Sequence, residues 1–175
     1  MAVLTINGRQ FYFEGQKPVL QVAIENGAGR TRNFGTFGLT DGAPLPATER
    51  DAGIPYYCYH PGLSVVASCR LCLAEISVIN PKTHQLETIP KLVPTCATTA
   101  ADGMVVNTRT PKAVANQKIC MEGFLLSHPL DCPVCDKAGE CKLQDYSYRY
   151  GNSESRFIED KVKNPVKDIG PTVKL

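Results

Sequence analysis

Residues 2–13 read AVLTINGRQFYF. Leu4 and Ile6 alternate with polar neighbours before Asn7-Gly8, and Phe11 and Phe13 alternate in the same way after it. Asn-Gly between two such runs predicts a β-hairpin, because a type I′ turn needs positive φ at both central residues. Next, Gly15-Gln16-Lys17-Pro18 leads into VLQVAIEN, and Gly27 stands where a helix would stop. Pro18 suits a first helical position, and Leu20, Ala23 and Ile24 share one face, so a short helix is expected to pack on the hairpin. A hairpin followed by a helix is the opening of a β-grasp, ubiquitin-like domain. Any small α+β domain is the plainer reading of this stretch alone.

Beyond the helix, residues 28–52 are rich in Gly, Thr, Pro and Arg and have no period, which predicts a long surface loop. Seven of the eight cysteines then fall into two groups. The first is Cys58, Cys69, Cys72 and Cys96, spaced C-x10-C-x2-C-x23-C. The second, His128, Cys132, Cys135 and Cys141, is spaced H-x3-C-x2-C-x5-C. Thiolates hold both zinc and iron–sulfur clusters, so spacing and context must decide between them.

The upstream group has two cysteines in a tight turn, one on a preceding loop and one far away. This arrangement is like that of plant-type [2Fe-2S] ferredoxins, although the first loop is longer here. Gly62, Ser64 and Ser68 in that loop are small, so backbone N–H groups can approach sulfur closely. For the downstream group, spacing alone leaves a zinc shell of three cysteines and one histidine level with an iron–sulfur cluster. A ferredoxin-like neighbour tips the balance, since a second redox centre has a use beside the first. His60, beside Cys58 in an aromatic loop, and His84, in a polar loop, need no such role.

Between and after the cysteines the pattern is local. Residues 71–76 read as a strand leaving the first site, 78–91 as a polar loop, and 103–106 as a closing strand. Thr110 is a good N-cap and Pro111 a good first helical residue, so a helix is expected to run to about Ser127. Met121, Phe124, Leu125 and His128 lie at i, i+3, i+4 and i+7, which would deliver the histidine inward at the helix end. Cys120 lies two turns before His128, about 12 Å along the axis, and reads as a buried core thiol outside that ligand shell. KLQDYSYRY after Cys141 reads as helical, and residue 151 onward as polar and aperiodic.

Composition excludes several classes. A net charge of +2 with no basic block gives no footprint for nucleic acid. No apolar run approaches the roughly 20 residues that span a bilayer, so no direct membrane insertion is expected. The first residues show no secretory pattern, which predicts a chain kept in a reducing compartment, and the C-x2-C pairs argue against a disulfide framework.

Three stretches carry a resemblance: PYYCYHPGLSVVASCRLCLAEI (55–76), LVPTCATTAADGMVV (92–106) and HPLDCPVCDKAGECKLQDYSYRYG (128–151). They resemble the N-terminal part of the large iron–sulfur subunit of respiratory complex I, NADH:quinone oxidoreductase. That resemblance implies a [2Fe-2S] cluster on Cys58, Cys69, Cys72 and Cys96, and a [4Fe-4S] cluster on His128, Cys132, Cys135 and Cys141. It further implies single-electron relay from a flavin-bearing, NADH-oxidising partner subunit towards quinone-side iron–sulfur subunits, at the cytoplasmic face of a membrane, with no substrate site on this chain. The family continues past the length of this chain into a further ferredoxin domain and a molybdopterin-enzyme-like domain.

The expected architecture is therefore α+β. A β-grasp [2Fe-2S] ferredoxin-like domain over 1–108, with the 28–52 insertion, is followed by a small helical [4Fe-4S] domain over 109–150, whose ligands are one histidine and three cysteines. An extended tail over 151–175 completes it. Two alternatives are a relay subunit of an NAD-linked hydrogenase or formate dehydrogenase, and a zinc-stapled interaction module.

Overall fold

The computed structural model describes residues 1–26, 53–162, 165 and 170–172. The expected helix stop at Gly27 and the loop 28–52 lie outside the described residues, as does part of the tail.

The hairpin forms as its sequence dictates. Strands β1 (Ala2–Ile6) and β2 (Arg9–Phe13) pair antiparallel with Leu4 opposite Phe11. Asn7 and Gly8 adopt φ of 49° and 84°, the left-handed pair that the turn requires. Leu4, Ile6, Phe11 and Phe13 are all buried. Asn7 also bonds beyond its own turn. Its Nδ2 donates to Thr108 Oγ1 at 2.8 Å, and its Oδ1 accepts from the Thr108 amide at 2.9 Å. The turn is thereby clamped to the end of the last strand.

Helix α1 (Val19–Glu25) starts one residue later than expected. Pro18 is extended, at φ −61° and ψ 148°, and bridges to Thr99, so it caps the helix instead of opening it. The amides of Val19 and Leu20 donate to the carbonyls of Thr98 and Thr95 at 2.9 and 3.0 Å. Donors at a helix start have no partner within the helix, and here they hold the loop around Cys96. The buried face is shifted from the predicted one: Val19, Leu20, Val22 and Ala23 are inside, and Ile24 is only half-buried.

The remaining strands are β3 (Leu73–Ile79), β4 (Leu86–Thr88), β5 (Val93–Pro94) and β6 (Val105–Asn107). Their order across the sheet is β2-β1-β6-β3-β4, with β5 pairing the start of β3. β1 and β6 run parallel in the middle and the other neighbours antiparallel, which is a β-grasp arrangement. Two expectations are corrected here. The strand expected over 71–76 begins only after Cys72 and continues to Ile79.

The loop expected over 78–91 is instead largely a hairpin arm, with Val78 opposite Glu87 and Ile79 opposite Leu86. Its turn closes through Asn80: the amide donates to Gln85 O at 2.9 Å, and the side chain donates to Glu87 Oε1 at 2.7 Å. All of β4 is exposed, so it carries no apolar alternation by which a strand could be read.

Helix α2 (Pro111–Leu125) is capped by Thr110, whose Oγ1 accepts from the Ala113 amide at 3.3 Å. It ends two residues short of Ser127. Its buried face is Ala113, Gln117 and Met121. Gln117 donates to Thr108 O at 3.0 Å, which ties the helix to the sheet. Helix α3 (Lys142–Tyr150) begins directly after Cys141, which occupies its N-cap.

Two apolar clusters result. The larger fills the space between the sheet and α1, and it includes Cys72 and Cys96. The smaller joins α2 and α3 through Leu71, Met121 and Tyr146. Consecutive residues Leu71 and Cys72 thus enter different clusters, and the C-x2-C turn is pinned from both sides. Residues 151–162 carry no helix or strand, yet they are strapped back onto α2. Arg156 Nε donates to Glu122 at 2.8 Å, and Lys161 Nζ donates to the carbonyls of Leu125 and Leu126 at 2.6 and 3.1 Å, satisfying acceptors left over at the helix end.

Candidate metal-cluster sites

The upstream cysteines arrive from three directions: the loop before β3, the turn at its start, and the loop after β5. Within the turn, Ala67 and Arg70 hold left-handed φ of 53° and 57°. That curl aims backbone amides at sulfur, and Cys69 N–H donates to Cys58 Sγ at 3.4 Å. Asn116 of α2 braces the curl by donating to Arg70 O at 2.9 Å. Cys72 is held to Cys96 through Thr95, whose amide and hydroxyl both donate to Cys72 O, at 3.3 and 3.0 Å. Thr95 is fully buried.

The four thiols sort into two pairs. Burial works against the Cys58 thiolate, but hydrogen bonds from Cys69 and Ser68 outweigh it and hold that thiol below its ordinary value. Cys96 is pushed up to about 12, first by burial and then by the charge and hydrogen bond of Cys72, with Cys58 and Cys69 adding to it. Cys58 is tied to Cys69 by the N–H to Sγ bond, and Cys72 to the residue beside Cys96 by the bonds from Thr95. Among the described residues no three His, Cys, Asp or Glu side chains are placed to share one metal ion. A [2Fe-2S] cluster does not ask for that, because each of its two irons takes two protein ligands. Four thiols, Cys72 and Cys96 buried and Cys58 and Cys69 half-buried, with an N–H turned on sulfur, fit such a group.

The downstream residues are placed differently. Cys132 opens a single 3-10 turn, Cys132–Val134, and the Cys135 amide closes it on Cys132 O at 3.3 Å. Gly139, at φ 83°, donates its amide to Gln144 Oε1 at 3.4 Å, which pins the loop to α3. Cys132 and Cys135 are exposed, and Cys141 is half-buried at the α3 N-cap.

His128 is exposed and lies outside α2. Its expected inward delivery is overturned, because the helix ends at Leu125 and the buried face follows Met121 and not Phe124 or His128. The backbone gathers the three cysteines into one short loop after α2, and their chemistry suits a cluster or zinc equally.

Cys120 is half-buried, not the core thiol expected. Its Sγ lies 3.8 Å from Asn116 Oδ1, and burial raises its pKa, with the charges of Cys69 and Cys72 adding to the rise. Like Cys69, it packs against the cluster of Leu71, Met121 and Tyr146. His84 is a turn residue at φ 52°, and His60 Nδ1 accepts from the Gly62 amide at 3.1 Å.

Between the two cysteine groups stands an aromatic wall that the cysteine spacing does not predict. Tyr57 packs on Phe124 and Tyr146 at centroid distances of 5.0 and 5.2 Å, and Tyr146 packs on Tyr150 at 5.2 Å. Tyr57 Oη donates to Lys142 O at 3.4 Å, and the Tyr56 amide donates to Tyr146 Oη at 3.4 Å. Burial raises the Tyr57 hydroxyl's pKa well above its ordinary value, and negative charge at Cys141 and Cys69 pushes in the same direction. The spacing Tyr146 to Tyr150, on one face of a helix that follows Cys141, was the available signal.

The chain is similar to known proteins in sequence and in fold. Residues 1–111 match the 2Fe-2S iron-sulfur cluster binding domain, and residues 117–156 match the NADH-ubiquinone oxidoreductase-G iron-sulfur binding region. The second G-type subunit of the NADH-quinone oxidoreductase of Rhizobium meliloti is 47% identical over 126 residues, covering 71% of this chain and 14% of that protein. The G-type subunit of the Rickettsia conorii enzyme is 40% identical over 127 residues, 73% of this chain and 17% of its own. The mitochondrial NADH dehydrogenase [ubiquinone] iron-sulfur protein 1 of Solanum tuberosum is 44% identical over 121 residues, 69% of this chain and 15% of its own. This chain thus spans less than a fifth of the length of these relatives. In fold, it superposes on a chain of a NAD+-reducing [NiFe]-hydrogenase with a TM-score of 0.67 at 22% identity, covering 97% of this chain and 57% of that one.

Proposed function

The chain belongs to the 2Fe-2S iron-sulfur cluster binding family and is homologous to the N-terminal part of the G-type subunit of NADH-quinone oxidoreductase, and from that premise we propose that it is an electron-relay segment of such a complex. Its cofactors are a [2Fe-2S] and a [4Fe-4S] cluster. When bound, they supply one-electron carriers. The proposed ligands are Cys58, Cys69, Cys72 and Cys96 for the first, and His128, Cys132, Cys135 and Cys141 for the second. The observation that carries this reading is the pairing of the four upstream thiols around the Cys69 N–H to Cys58 Sγ bond.

The residues of this chain bury Cys72 and Cys96, aim an amide at Cys58 and hold the two loops in register. The proposed division is a ferredoxin-like domain over 1–108, a helical domain over 109–150 and a tail over 151–175. Electrons would enter from a flavin-bearing, NADH-oxidising subunit and leave towards quinone-side iron–sulfur subunits, at the cytoplasmic face of a membrane. Exposed Leu130 and Val134 beside the downstream loop, at 80% and 83%, are apolar surface suited to a partner contact. Among the described residues no helix is long and apolar enough to cross a membrane.

The test is low-temperature EPR with iron, sulfide and zinc analysis on anaerobically purified protein. About six irons per chain and two signals after dithionite, one of them seen only at lower temperature, support the relay. About two irons with one zinc would make the downstream site structural and end the two-cluster reading.

A further inference from the structure

Lys142 follows Cys141 directly, yet its ammonium is not in solvent beside the downstream loop. It folds over the ring of Tyr56 at 3.9 Å from the centroid, with the rings of Tyr146 and Tyr57 at 5.2 and 5.7 Å. Two of these rings, Tyr56 and Tyr57, directly precede Cys58, and the third, Tyr146, packs with Leu71, which lies between Cys69 and Cys72. Ring faces favour the ammonium form. The position is otherwise a poor one for a cation, since the first turn of a helix carries the positive end of its dipole. Tyr57 Oη also donates to the Lys142 carbonyl, which fixes the backbone from which the side chain reaches.

We propose that Lys142 is a tuning residue for the upstream cluster, its caged charge stabilising the reduced form and so raising that cluster's reduction potential. Reduction adds one electron, hence one negative charge, to a group held by four thiolates. A fixed cation nearby in a low-dielectric shell stabilises that added charge more than it stabilises the oxidised form. The ammonium rests on Tyr56 and Tyr57, the two residues that precede Cys58, which places its charge beside the loop that carries an upstream sulfur. The downstream cluster is expected to feel the charge less, because the ammonium is stacked on the rings of Tyr56 and Tyr57, which precede Cys58.

The proposal rests on the two-cluster reading, and the experiment separates their failures. Wild type, Lys142→Gln and Lys142→Arg, each carrying its clusters, are titrated potentiometrically at pH 7 with EPR detection. The expected result is a roughly tenfold shift of the upstream reduction equilibrium towards the oxidised form in Lys142→Gln, which is about 59 mV for a one-electron couple. Lys142→Arg should stay near wild type and the downstream signal should move less. An unchanged upstream midpoint in Lys142→Gln, an equal shift in Lys142→Arg, or a larger shift downstream would overturn it. If Lys142→Gln does not take up iron, Lys142→Met, which keeps the apolar stem against the rings, is titrated instead. Loss of iron in both also overturns the proposal, because the charge would then act on assembly. Failure of the underlying reading is a different outcome: wild type itself would lack the upstream signal.

Discussion

Thr95 holds Cys72 by two hydrogen bonds to one carbonyl, from its amide at 3.3 Å and its hydroxyl at 3.0 Å. The contact links the turn that carries Cys69 and Cys72 to the residue beside Cys96, 23 positions further on. Thr95→Val keeps the shape and removes only the hydroxyl. Stability should fall by about 1 kcal/mol, the net worth of one hydrogen bond. Urea unfolding should show it, and bleaching of the visible absorbance should occur at lower denaturant in the variant. Iron per chain at rest should not change.

Cys135 and Cys58 lie on separate loops, far apart in the chain. Cys135→Ala should therefore abolish the [4Fe-4S] EPR signal and leave the [2Fe-2S] signal largely intact. Loss of both would mean that the two sites assemble as one.

Cys120 packs against the same apolar cluster as Cys69 but donates towards Asn116. Cys120→Ala is expected to leave both clusters in place, with iron content equal to wild type. A fall to about two or four irons per chain would make the thiol a ligand.

Tyr146 accepts the Tyr56 amide through its hydroxyl while its ring is fully buried. Tyr146→Phe preserves the ring and strands that amide in an apolar setting. A loss of about 1–2 kcal/mol is expected on chemical denaturation, whereas a surface tyrosine such as Tyr148, 85% exposed, should tolerate the same change without measurable cost.

Glu25 is held below the usual carboxylate value by Gln21 first and Lys17 second, each within hydrogen-bond reach at 2.8 and 2.7 Å. A depressed carboxylate stabilises the fold above its unfolded value of 4.5, and that contribution disappears as pH falls through the lower folded value. Wild type should therefore exceed Glu25→Gln in stability at pH 7 and match it near pH 3. The difference should be small and should shrink in salt, because both partners of the ion pair are more than a third exposed. Thermal melts at the two pH values check it.

Several features were legible because the physics behind them is local. Asn7-Gly8 demands left-handed backbone at two adjacent residues, and the hairpin follows. Thr110-Pro111 starts a helix through one side-chain acceptor and one preset φ. The two cysteine groups could be read from spacing, and their family from the residues around them. Other features depended on neighbours distant in the chain. Pro18 caps α1 instead of opening it because the first helical amides are taken by the Cys96 loop. β4 was illegible because an arm exposed on both faces has no alternation. His128 is exposed because α2 turns Met121 inward and stops three residues before the histidine. The sequence by itself determined which side chains could carry the chemistry and which local turns present them. Only the tertiary structure decided that Thr95 would join the two upstream loops, and that Lys142, written beside Cys141, would place its charge among tyrosines of the other site. The physical reason is that hydrogen bonds to a buried carbonyl, and cations over rings, are properties of packed surfaces, which no window of sequence contains.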